Sequence, residues 1–138
     1  MNSGLRLHER LALEVLDSQD ALAGIGPCVA IFGGARVKDS SPFYVAARET
    51  ARLLSQGGLS VITGGGPGIM TAANEGAKLG ANGKSVGLLI VLPYEETPNP
   101  HLDIRLTLNH FASRKVAFCR HAKAFVFFPG GYGTMDEL

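Results

Sequence analysis

Cysteine is scarce in this sequence, and its two thiols, Cys28 and Cys119, share no CxxC spacing. That excludes a disulfide framework and a structural zinc site, and both cysteines are expected to be buried and reduced. Net charge is almost absent at +1, which argues against a nucleic-acid coat. No apolar run approaches the ~18 residues of a membrane span. Residues 1–26 also lack the basic head and apolar centre of a secretion signal. A cytoplasmic protein that uses neither a membrane nor a nucleic acid is therefore expected. The histidines, His8, His101, His110 and His121, form no HExxH and no other close pairing, so no metal site is expected. No repeat at solenoid spacing is present. No glycine loop is followed by Lys-Ser or Lys-Thr, which removes the Walker A phosphate loop.

Glycine, by contrast, is plentiful. It fills 18 of 138 positions, about twice the usual share, and gathers behind apolar runs rather than spreading as low complexity. With 46% apolar and 18% charged residues, the chain reads as one globular core. Leu5, Leu11, Leu13, Val15 and Leu16 recur among charged residues over positions 5–17, an imperfect helical pattern that packs on the domain or on a partner. Gly24, Gly26 and Pro27 mark a linker, so residues 1–26 are read as an N-terminal helix and linker and residues 27–138 as the main domain. Strands are predicted at 28–32, 59–63, 85–92 and 124–128. Helices are predicted at about 42–56, 69–79 and 113–121, the first with Ser40 or Ser41 as N-cap before Pro42 and the last capped by Ser113. Residues 93–100 hold three prolines and read as an irregular surface segment, and residues 105–108 make a short strand at best. Strands alternating with helices at this spacing give an α/β class, a Rossmann-like doubly wound parallel sheet flanked by helices.

Three strand ends carry glycine: Gly33-Gly34, residues 64–68 and residues 130–133. In such sheets ligands sit beyond the carboxyl ends of the strands, and glycine amides before a helix start suit a phosphate. The last of these loops, Pro129-Gly130-Gly131-Tyr132-Gly133-Thr134-Met135-Asp136-Glu137-Leu138, follows an apolar run and adds a hydroxyl and acids at a helix start. The alternative is that the glycines serve tight turns alone. The dinucleotide fingerprint fails, because a GxGxxG register starting at Gly64 places Ile69 at the third glycine. In Ser113-Arg114-Lys115, two cations occupy a predicted first helical turn, where each opposes the dipole by ~0.3–1 kcal/mol. A phosphate or an acid such as Glu137 would offset them; the other reading is a solvated cationic face continued by Arg120 and Lys123.

Gly64-Gly65-Gly66-Pro67-Gly68-Ile69-Met70, then Arg114-Lys115, then the PGGxGTxxE run of residues 129–137 resemble the lonely-guy family of cytokinin-activating phosphoribohydrolases. The resemblance spans about residues 28–138. It implies hydrolysis of the N-glycosidic bond of a nucleoside 5′-monophosphate, AMP or an N6-modified form, with no cofactor. Arg114 and Glu137 match the catalytic pair, with Lys115 beside them. Gly130, Gly131, Gly133 and Thr134 match the holders of the 5′-phosphate, and Gly65, Gly66 and Gly68 line the same crevice. A homodimer or larger homo-oligomer is implied too. A binding or carrier protein of the same superfamily, for nucleotides or molybdenum cofactor, is the alternative. Members of the family were long labelled lysine decarboxylases, but no lysine here stands out as a Schiff-base partner for pyridoxal phosphate. Gly34 stands where the family often has serine, and Thr71 where it often has glutamate. The chain stops one turn into a helix that the family continues, so a part of a longer protein is expected.

Overall fold

The computed structural model describes residues 4–94 and 97–130. In chain order these form α1 (Leu7–Ala21), β1 (Cys28–Phe32), α2 (Pro42–Gln56), β2 (Ser60–Thr63), α3 (Ile69–Gly80), β3 (Ser85–Ile90), β4 (Ile104–Leu108), α4 (Phe111–His121) and β5 (Ala122–Phe127). All five strands are parallel, in the order β4-β3-β2-β1-β5. The expected Rossmann-like sheet is thus present.

Alternation along the strands sorts the core into two layers. Ile31 and Val61 face Ala47 and Ala51 of α2 and Ile69, Ala72 and Ala73 of α3. Cys28, Ala30, Phe32, Ile62, Val86 and Leu88 face the other way, with Ala117 and Phe118 of α4. β1 is therefore buried at every position, as an uninterrupted apolar run in a central parallel strand requires. α2 starts as read: the Ser41 hydroxyl accepts the Phe43 N–H at 3.2 Å, with Pro42 as first helical residue.

Four local readings need correction. β4 is a full five-residue edge strand, not a short strand at best. Its alternation of half-buried and exposed positions, with Arg105 among them, hid it from an apolar-run criterion. α4 begins at Phe111 with His110 as N-cap, so Ser113 lies inside the helix and is not its cap. Cys28 is buried, and burial pushes its thiol up to about 11. Cys119, however, is exposed, because α4 buries Ser113, Ala117 and Phe118 and turns Cys119 to solvent. Finally, Leu22 and Ile25, in the stretch read as a linker, are buried in the α4-side core. No helix of the described residues is long and apolar enough to cross a membrane.

Candidate active site

Strand order reverses at β1, with β2 on one side and β5 on the other, and such a reversal opens a crevice at the carboxyl ends. Gly34 lies two residues past the end of β1. Its N–H donates to the Pro129 carbonyl at 3.2 Å, and its own carbonyl accepts the Ile69 N–H of α3 at 3.1 Å. A Cβ on Gly34 would lie 3.1 Å from Gly130 Cα. Gly68, at φ +70°, presses on the Gly34 carbonyl and on Ala35, leaving no room for a side chain. The loop after β1 thus joins the loop after β2 to the start of the loop after β5.

The loop after β2 is held by buried side chains. The Gly65 N–H donates to Thr63 Oγ1 at 2.9 Å, and Thr63 donates onward to Asn74 Oδ1. Asn74 Nδ2 donates to Ser85 Oγ at 2.9 Å and to the Val86 carbonyl at 3.2 Å. From the other side, the Asn99 backbone N–H donates to the Gly65 carbonyl at 2.9 Å, and Asn99 Nδ2 donates to the Gly66 carbonyl at 3.1 Å. Gly65 takes φ +79°, a conformation glycine adopts without strain.

Arg114 reaches this loop from α4. Its Nε donates to the Leu88 carbonyl of β3 at 2.8 Å, and one terminal nitrogen lies 3.5 Å from the Gly64 carbonyl. The guanidinium also sits over the Phe118 ring, 5.4 Å from its centroid. Gly64 makes this possible, because a Cβ there would meet the Arg114 guanidinium. Arg114, Gly64, Gly66 and Met70 line a cleft of about 510 Å³ together with Leu92, Tyr94, Arg105 and Thr107.

Among the sequence-predicted residues, Arg114 and Gly66 share this cleft, Gly65 lies between Gly64 and Gly66 in the loop, and Gly68 and Gly130 abut Gly34. Lys115 is exposed on α4 and is not among the residues lining the cleft. Gly131, Gly133, Thr134 and Glu137 lie outside the described residues.

At the amino end of α4, the described structure supplies an anion that the sequence reading did not name. Glu14 of α1 accepts the Asn109 N–H at 2.9 Å and Asn109 Nδ2 at 2.7 Å, and it also accepts Ser113 Oγ. Burial pushes its carboxyl up, but the hydrogen bonds from Ser113, Asn109 and His110 outweigh that and hold it below the ordinary range. A carboxylate there favours the helix dipole; with α4 starting at Phe111, Arg114 is the fourth helical residue and Lys115 the fifth, so Lys115 lies past the first turn in which both cations were expected. Sequence reasoning also missed Thr63, Asn74 and Asn99. The Pro98-Asn99-Pro100 run was the one available signal, since an asparagine between prolines is held where it can serve a neighbouring backbone.

The pattern of the family described as "Possible lysine decarboxylase" matches residues 70–138. A pyrimidine/purine nucleotide 5′-monophosphate nucleosidase of Escherichia coli K12 is 31% identical over 117 residues, covering 80% of this chain and 25% of the relative. A probable cytokinin riboside 5′-monophosphate phosphoribohydrolase of rice, LOGL5, is 32% identical over 113 residues, covering 80% of this chain and 45% of the relative. The chain therefore spans between a quarter and a half of these relatives. Among solved structures, the structural-genomics target TM1055 superposes with a TM-score of 0.65 at 29% identity, covering 80% of this chain and 65% of that one. The Moco carrier protein of Chlamydomonas reinhardtii superposes with a TM-score of 0.64 at 25% identity, covering 80% and 67%. The family pattern, the relatives and the sheet agree: the chain belongs to the lonely-guy family, whose older description is possible lysine decarboxylase.

Proposed function

We propose that this chain carries the nucleotide-binding part of an N-glycosidase that hydrolyses a nucleoside 5′-monophosphate, AMP or N6-modified AMP, to free base and ribose 5-phosphate. The observation that carries this reading is the delivery of Arg114 from α4 to the carbonyl ends of β2 and β3, at a cleft lined by Gly64 and Gly66. It brings a permanent cation to glycine amides that suit an anion. The names of the E. coli and rice relatives support the same reaction class.

In this reading Gly130, Gly131, Gly133 and Thr134 hold the 5′-phosphate on backbone N–H groups and a hydroxyl, while Gly65, Gly66 and Gly68 shape the facing wall. Cleavage builds positive charge on the ribose and negative charge on the departing base. Glu137 supplies the carboxylate for the first, and Arg114 stabilises the base or anchors the phosphate. Lys115 adds a positive field from the exposed side of α4. A cytoplasmic homodimer or larger homo-oligomer completes the proposal. Lysine decarboxylation is not part of this reading, since no lysine of the sequence stands out as a Schiff-base partner for pyridoxal phosphate.

The test is release of free base from AMP and other nucleoside monophosphates by the full natural protein. Glu137→Gln should lower turnover by roughly two to four orders of magnitude, ~3–5 kcal/mol, with little change in nucleotide affinity. A folded Glu137→Gln protein that turns over at the wild-type rate would remove Glu137 from the mechanism. The likeness to the Moco carrier favours one second reading, a carrier that uses the same crevice without hydrolysis. Nucleotide or cofactor binding without base release would select it.

A further inference from the structure

Asn99 sits in the irregular segment between β3 and β4, far in sequence from the glycine loop, yet it is buried against that loop. Its side-chain orientation follows from its neighbours. Nδ2 faces two oxygens, the Gly66 carbonyl and Asn74 Oδ1, each at 3.1 Å, and Oδ1 accepts the His101 N–H at 3.0 Å. The flipped amide would set oxygen against both oxygens and NH₂ against an N–H.

The consequence lies in the peptide planes. In a planar trans peptide the carbonyl and the following N–H point in opposite directions. Asn99 draws the Gly65 carbonyl toward itself through its own backbone N–H, so the Gly66 N–H must point away from Asn99, to the Met70 side. There its acceptor is the Met70 sulfur at 3.4 Å, a weak partner that a phosphate or carboxylate oxygen would outcompete. Met70 and Gly66 both line the cleft that Arg114 enters. We infer that Asn99 is a positioning residue: its backbone N–H holds the Gly65 carbonyl, and its Nδ2, together with Thr71 Oγ1 at 3.0 Å, holds the Gly66 carbonyl, so that the Gly66 N–H is presented to an anionic ligand in the Arg114 cleft. For the identity of that ligand, the inference rests on the nucleotide reading above; the clamp itself does not.

The experiment uses the full natural protein, Asn99→Ala, and Asp103→Ala as control. Asp103 ties down the same segment away from the glycine loop, through Lys78 and the Ser85 N–H. Asn99→Ala keeps the backbone N–H but removes the side-chain bonds to Gly66, Asn74 and His101 that fix the segment carrying it. The Gly65 and Gly66 amides should therefore exchange about tenfold faster or more, with β2 amides unchanged. KM for AMP should rise about tenfold while kcat stays within about threefold. Asp103→Ala should change neither. Unchanged glycine exchange in Asn99→Ala, or the same changes in Asp103→Ala, would overturn the inference. Asn99→Ser, which keeps a short donor, takes the same measurements if Asn99→Ala does not fold. A wild-type protein that turns over no nucleotide would end the proposed function, and amide exchange alone would then decide the role of Asn99.

Discussion

The turn after β1 and the loop after β2 both leave a buried strand through consecutive glycines, and they are built in different ways. The first is tied by backbone hydrogen bonds from Gly34 to Pro129 and Ile69, with Val37 packed on the core, and then runs out through exposed Ala35, Arg36, Lys38 and Asp39. The second is buried at Gly64, Gly65, Gly66 and Gly68, and side chains from β2, α3 and the segment after β3 grip it from outside. Glycine lets a loop turn, but it does not fix which way the turned peptides face. In the second loop that is done by Thr63, Thr71 and Asn99, with Asn74 behind Thr63 and Asn99, which makes it the part fit to present an amide in a defined direction.

Substitutions at the shared seam should break the arrangement most. Gly68→Ala puts a Cβ into the Gly34 carbonyl at a φ of +70°. It should cost about 3 kcal/mol or more, read by denaturant unfolding. Gly34→Ala meets Gly130 Cα and Val37 Cγ2 at 3.1 Å with no backbone penalty, and about 1–2 kcal/mol is expected. Equal losses would show that the two loops are equally constrained.

A smaller change tests the side-chain grip. Thr63→Val keeps the shape but leaves the buried Gly65 N–H without its acceptor, at about 1–3 kcal/mol. Calorimetric melting checks the size.

An effect no larger than that of Gly34→Ala concerns α4, which carries Arg114 to the loop. Glu14→Gln should cost about 1–2 kcal/mol near neutral pH. The sign of its pH dependence follows from the lowered carboxyl. The Glu14 contribution is complete above the ordinary glutamate value, about 4.3. It is lost as pH falls through the lower folded value, and Glu14→Gln should flatten that acid limb in urea melts at several pH values.

The contrast between the loops also explains what was legible in the sequence. β1, α2, β2 and α3 were readable because each is an apolar or helical run closed by glycine or opened by Ser41-Pro42. The glycine loops were readable as loops; the place near a helix start marked Arg114 and Lys115 alike, and only the family resemblance set Arg114 apart. The clamp was barely legible: the Pro98-Asn99-Pro100 run marks a constrained asparagine, but Asn99 lies more than thirty residues from Gly66 and the run does not tell which backbone it serves. Glu14 was hidden for the same reason, since it serves α4 across 99 positions to Ser113. β4 escaped because an edge strand needs only one apolar face.

The central claim is that the cation held against the glycine loop acts on the ligand, rather than positive charge on α4 in general. Arg114 and its neighbour Lys115 separate the two, and Gly64→Ala adds a third arm by pushing on the guanidinium without removing it. The deciding measurement is kcat/KM for release of adenine from AMP by the full natural protein and these three variants. Arg114→Ala should lower it about 100-fold or more, Gly64→Ala should follow with little loss of melting temperature, and Lys115→Ala should stay within about threefold. A folded Arg114→Ala protein of wild-type activity, or an equal loss in Lys115→Ala, would contradict the account.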